Sequence, residues 1–237
     1  MTLYDESIES IINTYNTVVK GVDSNALKSN NQKGRTYGGL IRATKGKLQE
    51  HITHSLVKIA WKELGGKESD IDINSKKIHI PIQQNYLNKL IDEKVKKRIA
   101  NNLQHYTYKL SVDKHIYIKK KFVMGIECKS YTENAMIKRI LVDFDLLTSI
   151  HKDLKCFLFQ LESQLTGDYA NIDKATIYGS RSTHTIMSYF NCRLHIITLL
   201  KGERTIDKPI HKNFKPLSKK SLIKAKNILK DNLIEFL

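Results

Sequence analysis

Apolar residues recur at helical spacing near the start of the chain. Ile8, Ile11, Ile12, Tyr15 and Val18 fall on one side of residues 5–20, the rhythm of an amphipathic helix. Residues 23–46 break that rhythm. They are polar and carry Gly34, Gly38, Gly39 and Gly46, which predicts a loop. The rhythm returns from Lys47 to Leu64, with Leu48, Ile52, Leu56, Ile59 and Ala60 on one face and Gly65-Gly66 as the stop. Residues 78–82 predict a short extended piece near Pro81, and residues 86–102 a charged helix.

The period then changes. Tyr106–Val112, His115–Ile118 and Phe122–Glu127 are short runs rich in Val, Ile, Tyr and Phe, separated by charged turns. They predict a series of antiparallel strands. Glu133–Ile150 is helical again, with Met136, Ile140, Phe144 and Leu147 as the buried side. Cys156–Leu161 and Leu194–Leu200 read as buried strands, Ser182–Phe190 as a short helix or turn, and Ser218–Phe236 as a basic amphipathic helix. This order predicts a mixed α/β domain, a central sheet with helices on its faces. At 237 residues, with no Pro/Ser/Gly linker and no repeat, it is read as one domain, 1–237.

Charge sharpens the reading. Forty Lys and Arg oppose twenty-four Asp and Glu, a net charge of +16, and such an excess attracts phosphate backbones. A Lys-, Asn- and Ile-rich composition is also what an AT-rich genome produces. The cations cluster, however. Residues 94–121 hold nine of them against the single acid Asp113, and residues 201–237 hold ten against four acids. No apolar stretch is long enough to span a membrane, and the N-terminus has no secretory pattern. Cys128, Cys156 and Cys192 are odd in number and lack zinc spacing. A reduced, cytoplasmic, DNA-binding protein is expected.

Metal-assisted phosphodiester cleavage needs carboxylates on a rigid mount, a divalent ion to acidify water, and a cation for the developing charge. The pattern acid-x-Lys occurs at Asp92-Glu93-Lys94, Glu127-Cys128-Lys129 and Asp153-Leu154-Lys155. Only Glu127 ends an apolar strand. Alternation puts Glu127 and Lys129 on one face and Cys128 on the other. Asp113 lies 127 − 113 = 14 residues upstream, and a hairpin through Lys119-Lys120-Lys121 brings it alongside. The ordinary alternatives are a strand-end ion pair for Glu127 and Lys129 and a turn former for Asp113, while Cys128, pointing away, reads as a core thiol. His51 and His54, three apart, read as surface or DNA-facing.

Ser111-Val112-Asp113 followed by Gly125-Ile126-Glu127-Cys128-Lys129 resembles the core motif of the PD-(D/E)XK nucleases, with Val112 where the written pattern has proline. The resemblance implies a restriction-endonuclease-like core over about residues 39–200. It also implies Mg²⁺ held by Asp113 and Glu127, and Lys129 orienting or activating water. The helix after Glu133, with Lys138 and Arg139, matches the helix that follows the motif strand. The run from Gly39 through Glu50 resembles the N-terminal helix of type II restriction endonucleases, which implies a catalytic role for Glu50. The expected activity is cleavage of double-stranded DNA at a short palindrome by a homodimer. A junction resolvase or repair nuclease on the same core, or a basic DNA-binding regulator with an accidental motif, are the alternatives. The stretch Tyr178–Thr185, with Arg181, Ser182, Thr183 and His184, offers hydrogen-bonding groups for base edges. Arg35, Tyr37 and Arg42 offer phosphate or minor-groove contacts.

Overall fold

The computed structural model describes residues 3–28, 34–165, 179–205, 207–210 and 212–237. Its centre is a five-stranded mixed sheet in the order β1 (Ile71–Asn74), β4 (Lys114–Ile118), β5 (Lys121–Thr132), β6 (Lys155–Ser163) and β7 (Leu194–Thr198). β4 pairs antiparallel with both β1 and β5. The β5/β6 and β6/β7 pairs are parallel. Helix α5 (Asn134–Ile150) makes the crossover from β5 to β6. The expected α/β architecture is therefore present.

Two apolar layers enclose this sheet. On one face, helices α1 (Leu3–Lys28), α2 (Gly34–Glu63) and α7 (Lys219–Leu233) pack through Tyr15, Ile52, Leu56 and Leu229 onto Ile116, Ile126, Phe157 and Ile197. On the other, Ile137, Ile140, Leu141, Phe144 and Leu147 of α5 pack onto Phe122, Cys156, Leu158 and Ile196. Met136, an expected core residue, is only half-buried, and Ile137 takes that position. Gly125 explains how closely α5 approaches: a Cβ there would sit 3.0 Å from the Phe144 ring.

Several boundaries differ from the sequence expectation. The backbone of α1 continues to Lys28 and α2 starts at Gly34, so the loop over 23–46 is mostly helix. Glycine weakens helices by only about 1 kcal/mol per residue, and burial of Ile41, Lys45 and Leu48 holds this one. The charged helix over 86–102 is two pieces, α3 (Gln84–Leu87) and α4 (Glu93–Ala100). They divide because Asp92 caps α4, its Oδ1 accepting the backbone N–H of Lys94 and Val95. Strand β3 (Thr107–Leu110) does not join the central sheet. It pairs with β2 (Ile78–Pro81) in a separate two-stranded ladder. The four-residue edge strand β1 is an addition to the expected elements, and Ile71-Asp72-Ile73-Asn74 alternates as a strand should.

The β4–β5 hairpin matches its expectation and adds two details. Its two-residue loop, Lys119-Lys120, has φ of 48° and 68°, the left-handed pair that suits a tight hairpin turn and that Asn-Gly normally supplies. One-for-one pairing also breaks between Ile116 and Tyr117. Ile116 faces Met124 while Tyr117 faces Phe122, leaving Val123 as an extra residue.

Candidate active site

Asp113 immediately precedes β4, and Glu127 and Lys129 lie on β5, which continues past the end of β4. Because Lys114 pairs with Ile126, Asp113 reaches the stretch of β5 that pairs with β6 on one side and extends past β4 on the other. Its Oδ2 accepts the backbone N–H of Cys128 at 2.7 Å. That bond fixes the carboxylate beside two residues that alternation turns the same way. Lys129 Nζ donates to Glu127 Oε1, lies 3.6 Å from Asp113 Oδ2 and donates to the Cys128 carbonyl at 3.3 Å. One ammonium thus holds two carboxylates from adjacent strands. Cys128 faces away, is buried under α2 and donates its Sγ–H to Thr53 Oγ1 at 3.4 Å.

The electrostatics are those of a partly desolvated cluster. Burial, with the negative charge of Asp113 beside it, raises the pKa of Glu127 above its ordinary value, against the pull of Lys129. For Lys129, burial disfavours the charge, but Glu127 and Asp113 outweigh it and leave the pKa above the ordinary lysine value. Two like charges held together by one cation form a site that a divalent ion would relieve.

Sequence reasoning missed three neighbours. Asp143 on α5 is near enough to act electrostatically on both Glu127 and Lys129. Burial raises its own pKa, against the pull of Arg139 and Lys129. Its only signal in the sequence is its place four residues after Arg139. His115 is fully buried, and its Nε2 accepts the Val112 N–H at 3.1 Å, closing the turn that carries Asp113. Burial lowers its pKa to about 4, so it stays neutral and can accept. Lys114 points to the opposite face from Asp113 and meets Glu50 at 2.8 Å.

That ion pair bears on Glu50. The residue lies on α2 as expected, but its carboxylate is engaged by Lys114. Among the described residues no three of His, Cys, Asp and Glu converge as metal ligands. The arrangement brings together Asp113, Glu127 and Lys129 and leaves Glu50 at its margin.

The residues expected to touch DNA divide more sharply. Arg181, Ser182 and His184 are exposed on α6 (Arg181–Met187). Thr183 is not available: it is fully buried, and its Oγ1 donates to Asn134 Oδ1 at 2.6 Å. The helix is capped by Ser180, which turns Thr183 inward. Lys138 and Arg139 are exposed on α5, Arg139 standing 4.0 Å from Asp143. The side chains of Arg35, Tyr37 and Arg42, and all of Tyr178, lie outside the described residues. His51 is exposed and His54 half-buried. No helix among the described residues is long and apolar enough to cross a membrane.

A five-stranded mixed sheet between helical layers, with an acid before one strand and acid-x-Lys on the next, defines a restriction-endonuclease-like fold. The chain is similar to the type II restriction enzyme DdeI of Desulfomicrobium norvegicum, with 52% identity over 235 residues and 98% of both chains covered. No family model matches the chain, and no solved structure does. At that identity and coverage the chain belongs to the type II restriction enzymes, site-specific endonucleases that hydrolyse DNA.

Proposed function

We propose that this endonuclease cuts both strands of a short palindromic sequence in duplex DNA, as a Mg²⁺-dependent homodimer in the cytoplasm, with Asp113, Glu127 and Lys129 as its catalytic group. The observation that carries this is the convergence of two carboxylates on one lysine, pinned by the Asp113–Cys128 backbone bond. The donor set fits Mg²⁺. Carboxylate oxygens are the hard donors it takes, and it commonly binds through one or two of them, with water and substrate phosphate completing the octahedron. Asp113 and Glu127 would hold the ion. Bound there, it supplies Lewis acidity, making water a better nucleophile and offsetting charge on the scissile phosphate.

The chain's own residues do the rest. Asp113 keeps its register through the Cys128 amide. Lys129, whose ammonium lies between Glu127 and Asp113, would orient the attacking water or steady the charge on a phosphate oxygen. Glu50 restrains Lys114 next to Asp113. Arg181, Ser182 and His184 on α6 are the exposed groups proposed to read base edges, with Arg35, Arg42, Lys138 and Arg139 on phosphates. Symmetry supports the dimer: one such site cuts one strand, and two sites related by a two-fold axis would match a palindrome.

The test is plasmid digestion. Discrete fragments with Mg²⁺, none with EDTA, and none from Glu127→Ala protein that still binds duplex are expected. Undiminished cutting by Glu127→Ala removes the site assignment. Sedimentation of that variant on a short cognate duplex should give two chains per duplex, and one chain per duplex would remove the dimer.

A further inference from the structure

The cations of α7 and those around α4 differ in how far the fold pairs them. On α7, Lys219 lies 2.9 Å from Asp5, Lys226 2.6 Å from Glu63, and Lys230 3.7 Å from Glu63. These charges fasten α7 to α1 and α2. On α4 and its surroundings only Lys96 has an acid, Glu93 at 3.4 Å. Lys89, Lys94, Lys97, Arg98 and Lys109 are exposed, and no described carboxylate lies within ion-pair distance of their side chains.

Topology places these unpaired cations. β1 and β4 form an antiparallel pair whose last register is Asn74 with His115. Everything from Ser75 to Val112 is therefore one excursion, leaving and rejoining the sheet at its catalytic end, and the residue that follows it is Asp113. Its root is fixed on the face that bears Glu127 and Lys129: Ile80, Leu110 and Val112 are buried in the α5-side core, and His115 holds the Val112 amide. Its outer part is thin. Between Gln83 and His105 only Leu87 and Ile99 are buried. Over Ser75–Val112 eight Lys and Arg face only Asp92 and Glu93. A segment that buries so little and carries such an excess has an anchored base and a solvated, cationic tip.

We propose that the Ser75–Val112 excursion is an arm that grips the phosphate backbone of duplex DNA beside the scissile bond, and that Lys219, Lys226 and Lys230 of α7 take no part in binding. The occupant is a polyanion because unpaired cations dominate the tip, and it is the duplex because the root of the arm is the catalytic turn. This rests on the proposed site only for where along the DNA the arm lies. Phosphate contacts of this kind carry no base information and set register.

The experiment compares two triple variants on a duplex containing the recognition sequence, in metal-free buffer where nothing is cut. Each phosphate neutralised contributes a slope of about −0.9 to log K against log salt. For Lys94→Ala/Lys97→Ala/Arg98→Ala the slope should become shallower by about 2 to 3, with the same loss on duplex lacking the sequence and an unchanged thermal midpoint. For Lys219→Ala/Lys226→Ala/Lys230→Ala the midpoint should fall and the slope stay as in the wild type. An unchanged slope in the arm variant overturns the proposal, as does an equal loss of slope in the α7 variant. An unchanged slope with a shift from dimer to monomer on sedimentation overturns it in favour of a contact between protomers. Ethylation interference then places the arm. Phosphates flanking the cut that matter to the wild type should cease to matter to the arm variant. If those phosphates lie far from the cut, the placement fails while the slope result stands. Because binding is read without metal, a failure of the Asp113–Glu127 assignment would appear only in cleavage by Glu127→Ala.

Discussion

Asp92-Glu93-Lys94 and Glu127-Cys128-Lys129 share one pattern and have nothing else in common. The first begins at a helix N-cap. Asp92 spends its carboxylate on the backbone of Lys94 and Val95, Glu93 reaches only Lys96, and Lys94 stands in solvent. The second lies on a strand between two packed helical layers. There Glu127 and Lys129 point one way, into a partly desolvated cluster with Asp113, and Cys128 points the other, into the core. A helix turns each successive side chain by about 100°, so acid and lysine two apart diverge. A strand turns each by about 180°, so they stand together. The comparison teaches that the tripeptide carries chemical meaning only through the period of the element that bears it.

The largest effects should fall on the strand. Glu127→Gln keeps the shape and removes the charge, and should lower single-turnover cleavage by at least about 10³-fold, roughly 4 kcal/mol of transition-state stabilisation, with metal-free duplex binding retained. Lys129→Met should lower the cleavage rate by about 10²- to 10³-fold. Lys94→Met, the matching change on the helix, should weaken duplex binding as salt rises and slow cleavage of duplex already bound by no more than about twofold. A Lys94→Met enzyme as impaired as Lys129→Met would erase the contrast between the two tripeptides.

Smaller effects separate capping from chemistry. Asp92→Ala should cost about 1 kcal/mol of stability in a denaturant melt through loss of the α4 cap, and should not alter the cleavage rate. The cysteine between the two site residues should behave as core. Burial pushes the Cys128 thiol far above its ordinary range, Cys156 up to about 12 and Cys192 to about 11. All three should therefore ignore a thiol reagent such as DTNB at neutral pH until the protein is unfolded. A rapid reaction at Cys128 in the native protein would mean that β5 presents its other face.

Much of this was legible in the sequence, and the failures share a cause. The sheet strands with strong apolar runs, the α5 crossover and the Asp113–Glu127–Lys129 group follow from period and local context. What did not follow was decided by tertiary contact. The glycine-bearing start of α2 is helical because Ile41, Lys45 and Leu48 are buried there. β3 looks like the strands after it, yet its partner is β2, well upstream in the chain (Ile80 pairs with Tyr108, Pro81 with Thr107). His115 and Asp143 carry no motif, and only the fold brings them to the site. Thr183 looks like its exposed neighbours until the Ser180 cap sets the phase of α6. Charge misled in a different way: the lysines of α7 and α4 are alike in composition, and only their distances to Asp5, Glu9 and Glu63 tell them apart.

The extra residue in β5 governs which side each end of the strand presents. Strands have a reading frame of two, and Val123 shifts it. Toward the hairpin, Phe122 lies on the α5 face; toward the site, Gly125, Glu127 and Lys129 do. Without the shift, no single frame serves both ends. Deleting Val123 would change one apolar residue and leave Glu127-Cys128-Lys129 intact as text, yet one end of the strand would have to present its wrong side. Either Phe122 leaves its core, or Cys128 faces the substrate while two charged groups are driven under α2. The spacing between Asp113 and Glu127 is thus a frame as well as a length, and relatives of this enzyme should change it by even numbers or move the bulge with it.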